Sequence, residues 1–171
     1  MSEFEWIDRY LKPLVRSPGA QGLSNDVAEL GKGASSPLIV TLDTLVAGIH
    51  FLTDDPLDTV ARKLIRVNVS DILCKGALPR EALLSIAFPK HLEEAAFATF
   101  CDGLGADLDA WNIDLLGGDT VSTAGPLTLS LTLTGECLGR GPLFRSGASP
   151  GDILVVSGWI GQGVLGLEDA R

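Results

Sequence analysis

An α/β or α+β fold is what three features of this 171-residue sequence predict. Apolar, β-branched runs recur between stretches whose apolar residues fall at helical spacing. One run, LTLSLTLTG, alternates Leu with Thr or Ser, the pattern of a strand with one buried face and one polar or partner-covered face. The connections draw on 20 glycines, the residue of tight turns and close backbone approaches. Strands alternating with helices place the chain among α/β or α+β architectures.

Taken in order, Ser2 and Glu5 have capping-box spacing ahead of Phe4, Ile7, Leu11 and Leu14, which predicts a helix over 2–15. A Gly/Ser/Pro-rich loop follows, with a short strand at 27–30. PLIVTLDTLVAGIHF reads as a strand, or a strand pair broken near Asp43. Asp55-Pro56 predicts an N-cap and first helical residue; Val60, Leu64, Val67 and Ile72 then share a face, and Gly76 stops the helix. REALLSIAF (80–88) is a strand, and 91–110 a helix with Leu92, Ala96, Phe100 and Leu104 inward. Strands are expected at 113–117, with Asp119 just beyond, at 127–136 and in DILVVSG.

Net charge is −9, from 13 basic and 22 acidic residues. With no basic stripe to neutralise phosphates, nucleic-acid and anionic-membrane partners are not expected. An acidic protein still binds phosphorylated ligands when divalent cations lie between the negative charges. No run approaches the roughly 20 apolar residues of a membrane span, and the charged N-terminus is no signal peptide. A cytoplasmic protein is expected. Cys74, Cys101 and Cys137 lack metal spacing and read as small buried hydrophobes.

GQGVLG (161–166) matches G-x-G-x-x-G after an expected strand, but the dinucleotide reading needs an acidic residue about 20 positions later. Glycines of helix–sheet packing are the plainer reading. No P-loop motif is present.

Four aspartates carry more. Asp43 interrupts an apolar strand, Asp71 lies inside a helix, Asp119 closes a strand behind two glycines, and Asp26 sits in a loop. An unpaired carboxylate in an apolar setting is costly. A basic partner is one remedy, with only Arg66 and Lys75 at helical distance from Asp71. A hard cation held by several carboxylates is the other. His50 reads as a core histidine or a substrate contact, and Arg145 as a phosphate contact or a solvated side chain.

EFEWIDRYL, VTLDTLVAGIHF, VNVSDILCKGALPREALLSIAFP, LLGGDTVSTAGPLTLSLTLTG and RSGASPGDILVVSG occur in this order. Together they resemble the thiamine-monophosphate kinase family, in the superfamily of aminoimidazole ribonucleotide synthetase and selenophosphate synthetase. The resemblance implies a mixed sheet with helices on one face that pairs with its twin in a homodimer. It implies an ATP- and magnesium-binding domain over 1–150 and the start of a truncated second domain at 151–171. The implied reaction moves the γ-phosphoryl of ATP to thiamine monophosphate. By position, the resemblance makes Asp26, Asp43, Asp71 and Asp119 magnesium ligands, assisted by Thr41 and Leu42. It makes Gly118, Asp119 and Arg145 ATP contacts and His50 a contact to thiamine monophosphate. Asn25 replaces a family aspartate, Leu42 a threonine, and Cys74-Lys75 a small apolar pair. The alternatives are a non-catalytic dimerisation module and a selenophosphate synthetase-like enzyme.

Overall fold

A computed structural model describes residues 8, 12–14, 18–25, 27–30 and 37–169. The helix expected over 2–15, with its Ser2–Glu5 cap, lies largely outside the described residues; within them, Lys12–Leu14 form one 3-10 turn.

Five strands form one mixed sheet: β1 (Ala28–Leu30), β2 (Leu38–Val46), β3 (Ala77–Pro89), β4 (Asp114–Thr123) and β5 (Thr128–Cys137). Their spatial order is β1-β2-β5-β3-β4. Neighbours are antiparallel except β3 and β4, which run parallel. The crossover that this parallel pair requires is α2 (Glu94–Trp111). The other long helix, α1 (Leu57–Leu73), joins β2 to β3 and packs on both, and on β5. A short α3 spans Gln162–Asp169.

The period-two pattern of β5 does what it predicts. Leu129, Leu131 and Leu133 are fully buried, while Thr128, Ser130, Thr132 and Thr134 between them are half-buried on the opposite face. Ile39 and Leu45 of β2 and Leu84 and Ile86 of β3 complete the inner face. Val60, Leu64, Ile65, Val69 and Ile72 of α1 cover it. α2 packs on α1 through Phe100 and Leu104. Gly103 is needed at their closest approach, because a Cβ there would lie 2.5 Å from Asp58 Cα. The outer sheet face has no helix over it among the described residues, and leaves Leu42 60% and Leu83 49% exposed.

Several expectations are corrected. β2 runs unbroken through Asp43, because β5 pairs with it along its whole length, Asp43 opposite Leu131. Asp55 does not cap α1: its Oδ2 accepts from the Leu52 N–H (2.8 Å) in the preceding turn, and Pro56 takes the cap position without a side-chain bond. Val67 is half-buried, whereas Ile65 and Val69 enter the core. Leu92 precedes α2 and is, like Ala96, only half-buried. β4 is longer than expected, so Asp119 lies within the strand. DILVVSG is not a strand; residues 152–158 are exposed, with no neighbouring strand among the described residues to complete a hydrogen-bond ladder. α3 therefore opens after irregular chain, and the strand required ahead of GQGVLG is missing. Of the cysteines only Cys137 is buried; Cys74 and Cys101 are exposed, and all three are free.

Candidate functional site

Strand alternation puts Thr41 and Asp43 on the face of β2 that carries buried Ile39 and Leu45, the face α1 covers. The last turn of α1 brings Asp71 to them: Thr41 Oγ1 donates to Asp71 Oδ2 at 3.2 Å. Thr41 is buried, and both carboxylates are half-buried. They line a cleft of about 630 Å³ with Arg62, Lys63, Arg66 and Ser70 of α1. Burial lifts the Asp43 carboxyl above its ordinary pKa of 3.8, and the charge of His50 pulls it partly back.

His50 occupies the turn after β2. Its Nδ1 accepts from the Val46 N–H (3.0 Å), which leaves Nε2 to carry the proton of the neutral ring. Its carbonyl accepts from Lys63 Nζ, a contact that ties the turn to α1. His50 is exposed, so it is not a core histidine. It borders a second cavity of about 370 Å³, shared with Lys63 and with Gly163, Gly166 and Leu167 of α3.

The remaining residues singled out from the sequence lie apart from this cleft. Leu42 turns its side chain to the open sheet face, which leaves its carbonyl as its one oxygen. Gly118 and Asp119 are on the edge strand β4, opposite Leu84 and Ser85. Two strands, β5 and β3, separate them from β2, so three strand spacings, about 14 Å, lie between. Asp119 is exposed, and its Oδ1 accepts from the Thr120 N–H at 3.0 Å. A Cβ on Gly118, whose φ is +156°, would lie 2.6 Å from the Leu84 carbonyl carbon, so β3 itself demands glycine there. Arg145 opens an exposed 3-10 turn, Arg145–Gly147. Asp26 lies outside the described residues. Its neighbour Asn25 donates to Gln21 Oε1 at 2.9 Å, while the Asn25 Oδ1 atom is buried with no partner among the described residues.

Arg62 and Lys63 were missed from the sequence, where only Arg66 and Lys75 were counted near Asp71. The signal was present: Thr59, Arg62, Lys63, Arg66 and Ser70 recur at three- and four-residue steps, one stripe of a helix. Asp107 was missed as well. It follows Phe100 and Leu104 on the inward face of α2 and is 2% exposed. Arg66 Nε and Nη2 donate to it at 2.6 and 3.1 Å, and Arg62 Nη1 stands 3.5 Å away. Lys75 is buried just after α1, where its carbonyl accepts from the Leu143 N–H.

A helix-backed mixed sheet whose strand β2 and helix α1 line one cleft with both hard oxygen donors and cations defines an α/β domain suited to phosphorylated ligands. The chain belongs to the family described as AIR synthase related protein, N-terminal domain, whose model matches residues 25–137. The thiamine-monophosphate kinase of Caulobacter vibrioides is 46% identical over 167 residues, 97% of this chain and 47% of that protein. The Escherichia coli K12 enzyme of the same name is 41% identical, over 96% of this chain and 50% of its own length. The chain thus spans about half the length of these curated relatives. Among solved structures, AaThiL complexed with AMPPCP and TMP superposes with a TM-score of 0.71 at 31% identity, covering 78% of this chain and 41% of that one. The thiamine monophosphate kinase of Aquifex aeolicus gives 0.72 at 29% identity, covering 87% and 48%.

Proposed function

We propose that this chain is the N-terminal half of a thiamine-monophosphate kinase, which moves the γ-phosphoryl of ATP to thiamine monophosphate and yields thiamine diphosphate and ADP. The observation that carries the reading is the 46% identity to a relative of that name across 97% of the chain. The ligands named for AaThiL, an ATP analogue and TMP, point the same way. On this reading residues 1–150 form the ATP- and magnesium-binding domain and 151–171 open a second one. The wholly exposed Ile153, Leu154, Val155, Trp159 and Ile160, which add nothing to the core, support that division. A cytoplasmic location belongs to the same reading; no described helix is long and apolar enough to cross a membrane.

Magnesium is part of this proposal. Among the described residues no three His, Cys, Asp or Glu side chains gather closely enough to hold a metal. The available donors nevertheless fit a hard cation. Asp43 is half-buried with a carboxyl pushed toward its neutral form, Thr41 and Asp71 sit beside it, and the Asn25 Oδ1 atom is buried without a partner. Asp26, Asp43 and Asp71 would hold magnesium with Thr41 and the Leu42 carbonyl, Asp119, three strand spacings away, would hold a separate ion, and the ions would screen the charge between two phosphate-bearing reactants. The chain's own residues position and orient. Gly118, Asp119 and Arg145 would contact ATP, and His50, with its proton on Nε2, would donate to thiamine monophosphate. An acceptor phosphate is already anionic at neutral pH, so no strong general base is required.

The test is turnover by the intact gene product with ATP, magnesium and thiamine monophosphate, against other phosphate and selenium acceptors. Thiamine diphosphate formation is expected. Turnover of a different acceptor alone would favour a selenophosphate synthetase-like enzyme, and none at all a non-catalytic module.

A homodimer through the open sheet face completes the reading. Leu42 and Leu83 on that face are more exposed than is usual for leucine. Leu83→Glu is expected to convert a dimer to monomers in sedimentation equilibrium without lowering the helix content. A Leu83→Glu chain that sediments as wild type would exclude this face.

A further inference from the structure

We propose that Arg62, Lys63 and Arg66 form the phosphate-receiving wall of the α1 cleft, with Asp107 of α2 as the positioning residue that holds the two arginines. The inference deepens the kinase reading and rests on it for the identity of the ligand, whose phosphate belongs to the acceptor or to the nucleotide.

The three cations lie on α1 and line one cleft with Asp71, at the end of the same helix, and Asp43 of β2. In a chain of net charge −9 with 13 basic residues, such a grouping decides where an anion can approach. Asp107 is 2% exposed, and a buried carboxylate must be paired. One arginine, donating through Nε and Nη2, already does that. Arg62 is a second cation drawn to the same carboxylate, and Lys63 does not contact it at all. Arg62 also stands 4.0 Å from Asp58, so the three cations keep a surplus of one positive charge over Asp107 and Asp58.

The arginines are also reachable. The Arg66 side chain is 58% exposed and that of Arg62 37%. Arg66 commits two of its five N–H donors to Asp107, and the rest keep the planar fork that matches a phosphate. Anchoring on α2 removes rotamer freedom before any ligand arrives, so less is lost on binding.

The experiment is calorimetric titration of the intact protein with inorganic phosphate, then thiamine monophosphate against thiamine, then magnesium–ATP against adenosine. Lys63→Gln leaves Asp107 untouched and serves as the variant least prone to misfold; Arg62→Gln/Lys63→Gln is the stronger one. The double variant is expected to weaken inorganic phosphate binding by about tenfold or more. It should also lose the preference for whichever phosphorylated ligand the wall receives, and Lys63→Arg should retain it. Asp107→Asn should weaken phosphate less while raising the mobility of the arginine side-chain resonances. Unchanged phosphate affinity in a double variant that melts like wild type overturns the proposal, as does a wild type that binds no phosphate. Phosphate bound through the wall without preference for thiamine monophosphate over thiamine, or ATP over adenosine, supports the wall and removes the kinase reading.

Discussion

Asp43→Asn is expected to lose magnesium-dependent nucleotide binding while keeping its fold. Removing a partner that merely orients a metal ligand costs about 10- to 100-fold in affinity, so loss of a carboxylate ligand should cost about 100-fold or more. The fold should survive because Asp43 accepts no hydrogen bond among the described residues, and an amide of the same shape leaves the ladder with Leu131 intact.

The pH dependence follows from burial. The folded chain holds the Asp43 proton more tightly than the unfolded chain, whose carboxyl titrates near the ordinary 3.8. The unfolded state therefore binds fewer protons in the window above 3.8, and stability falls as pH rises through it. At neutral pH the full cost of the ionised carboxylate is present. Without magnesium, Asp43→Asn should accordingly melt no lower than wild type at about pH 7, with any advantage vanishing toward about pH 4 as wild type protonates. Magnesium should raise the wild-type melting temperature only. Equal tightness for magnesium–ATP in both proteins would remove Asp43 from the metal site.

Leu64→Asp carries the largest stability effect. Leu64 is fully buried on α1 between the sheet and α2. The substitution places a carboxylate within the apolar cluster and leaves part of the leucine volume empty. A loss of about 4 kcal/mol or more is expected, a large share of a typical domain's stability of roughly 5–15 kcal/mol. Leu64→Met, which conserves volume, should cost less than about 1.5 kcal/mol. Urea denaturation of both measures this. An aspartate variant with the wild-type midpoint would place Leu64 outside the core.

The elements that were legible in the sequence owe their form to local pattern. In β5, Leu at every second position has no helical alternative, and its burial follows from the alternation. α1 was legible because Val60, Leu64 and Ile72 share a face, although Ile65 and Val69 widen that face beyond the positions picked out. DILVVSG shows the limit. Its β-branched run satisfies every local rule, yet a strand exists only when a neighbour takes up its hydrogen bonds, and residues 152–158 have none among the described residues. Asp55 is not the cap because α1 opens one residue later, with Pro56 at the cap position, and the Asp55 carboxylate turns back to the Leu52 N–H.

For the candidate site, residue types in the sequence placed Asp43 and Asp71 in apolar settings, where a carboxylate needs a partner. They could not establish the company those carboxylates keep. Register across β2 and β5, and the way α1 lies on that sheet, bring Thr41 to Asp71 and line one cleft with Arg62, Lys63 and Arg66. The same register sets Asp119 three strands away, on an edge. Asp107, 41 residues from Arg66, meets it only because α2 packs on α1. The sequence by itself thus determined most of the helices and strands and their inner faces, because these depend on spacing within one element. Only the tertiary structure decided which charges face one another, because that depends on how separate elements are stacked.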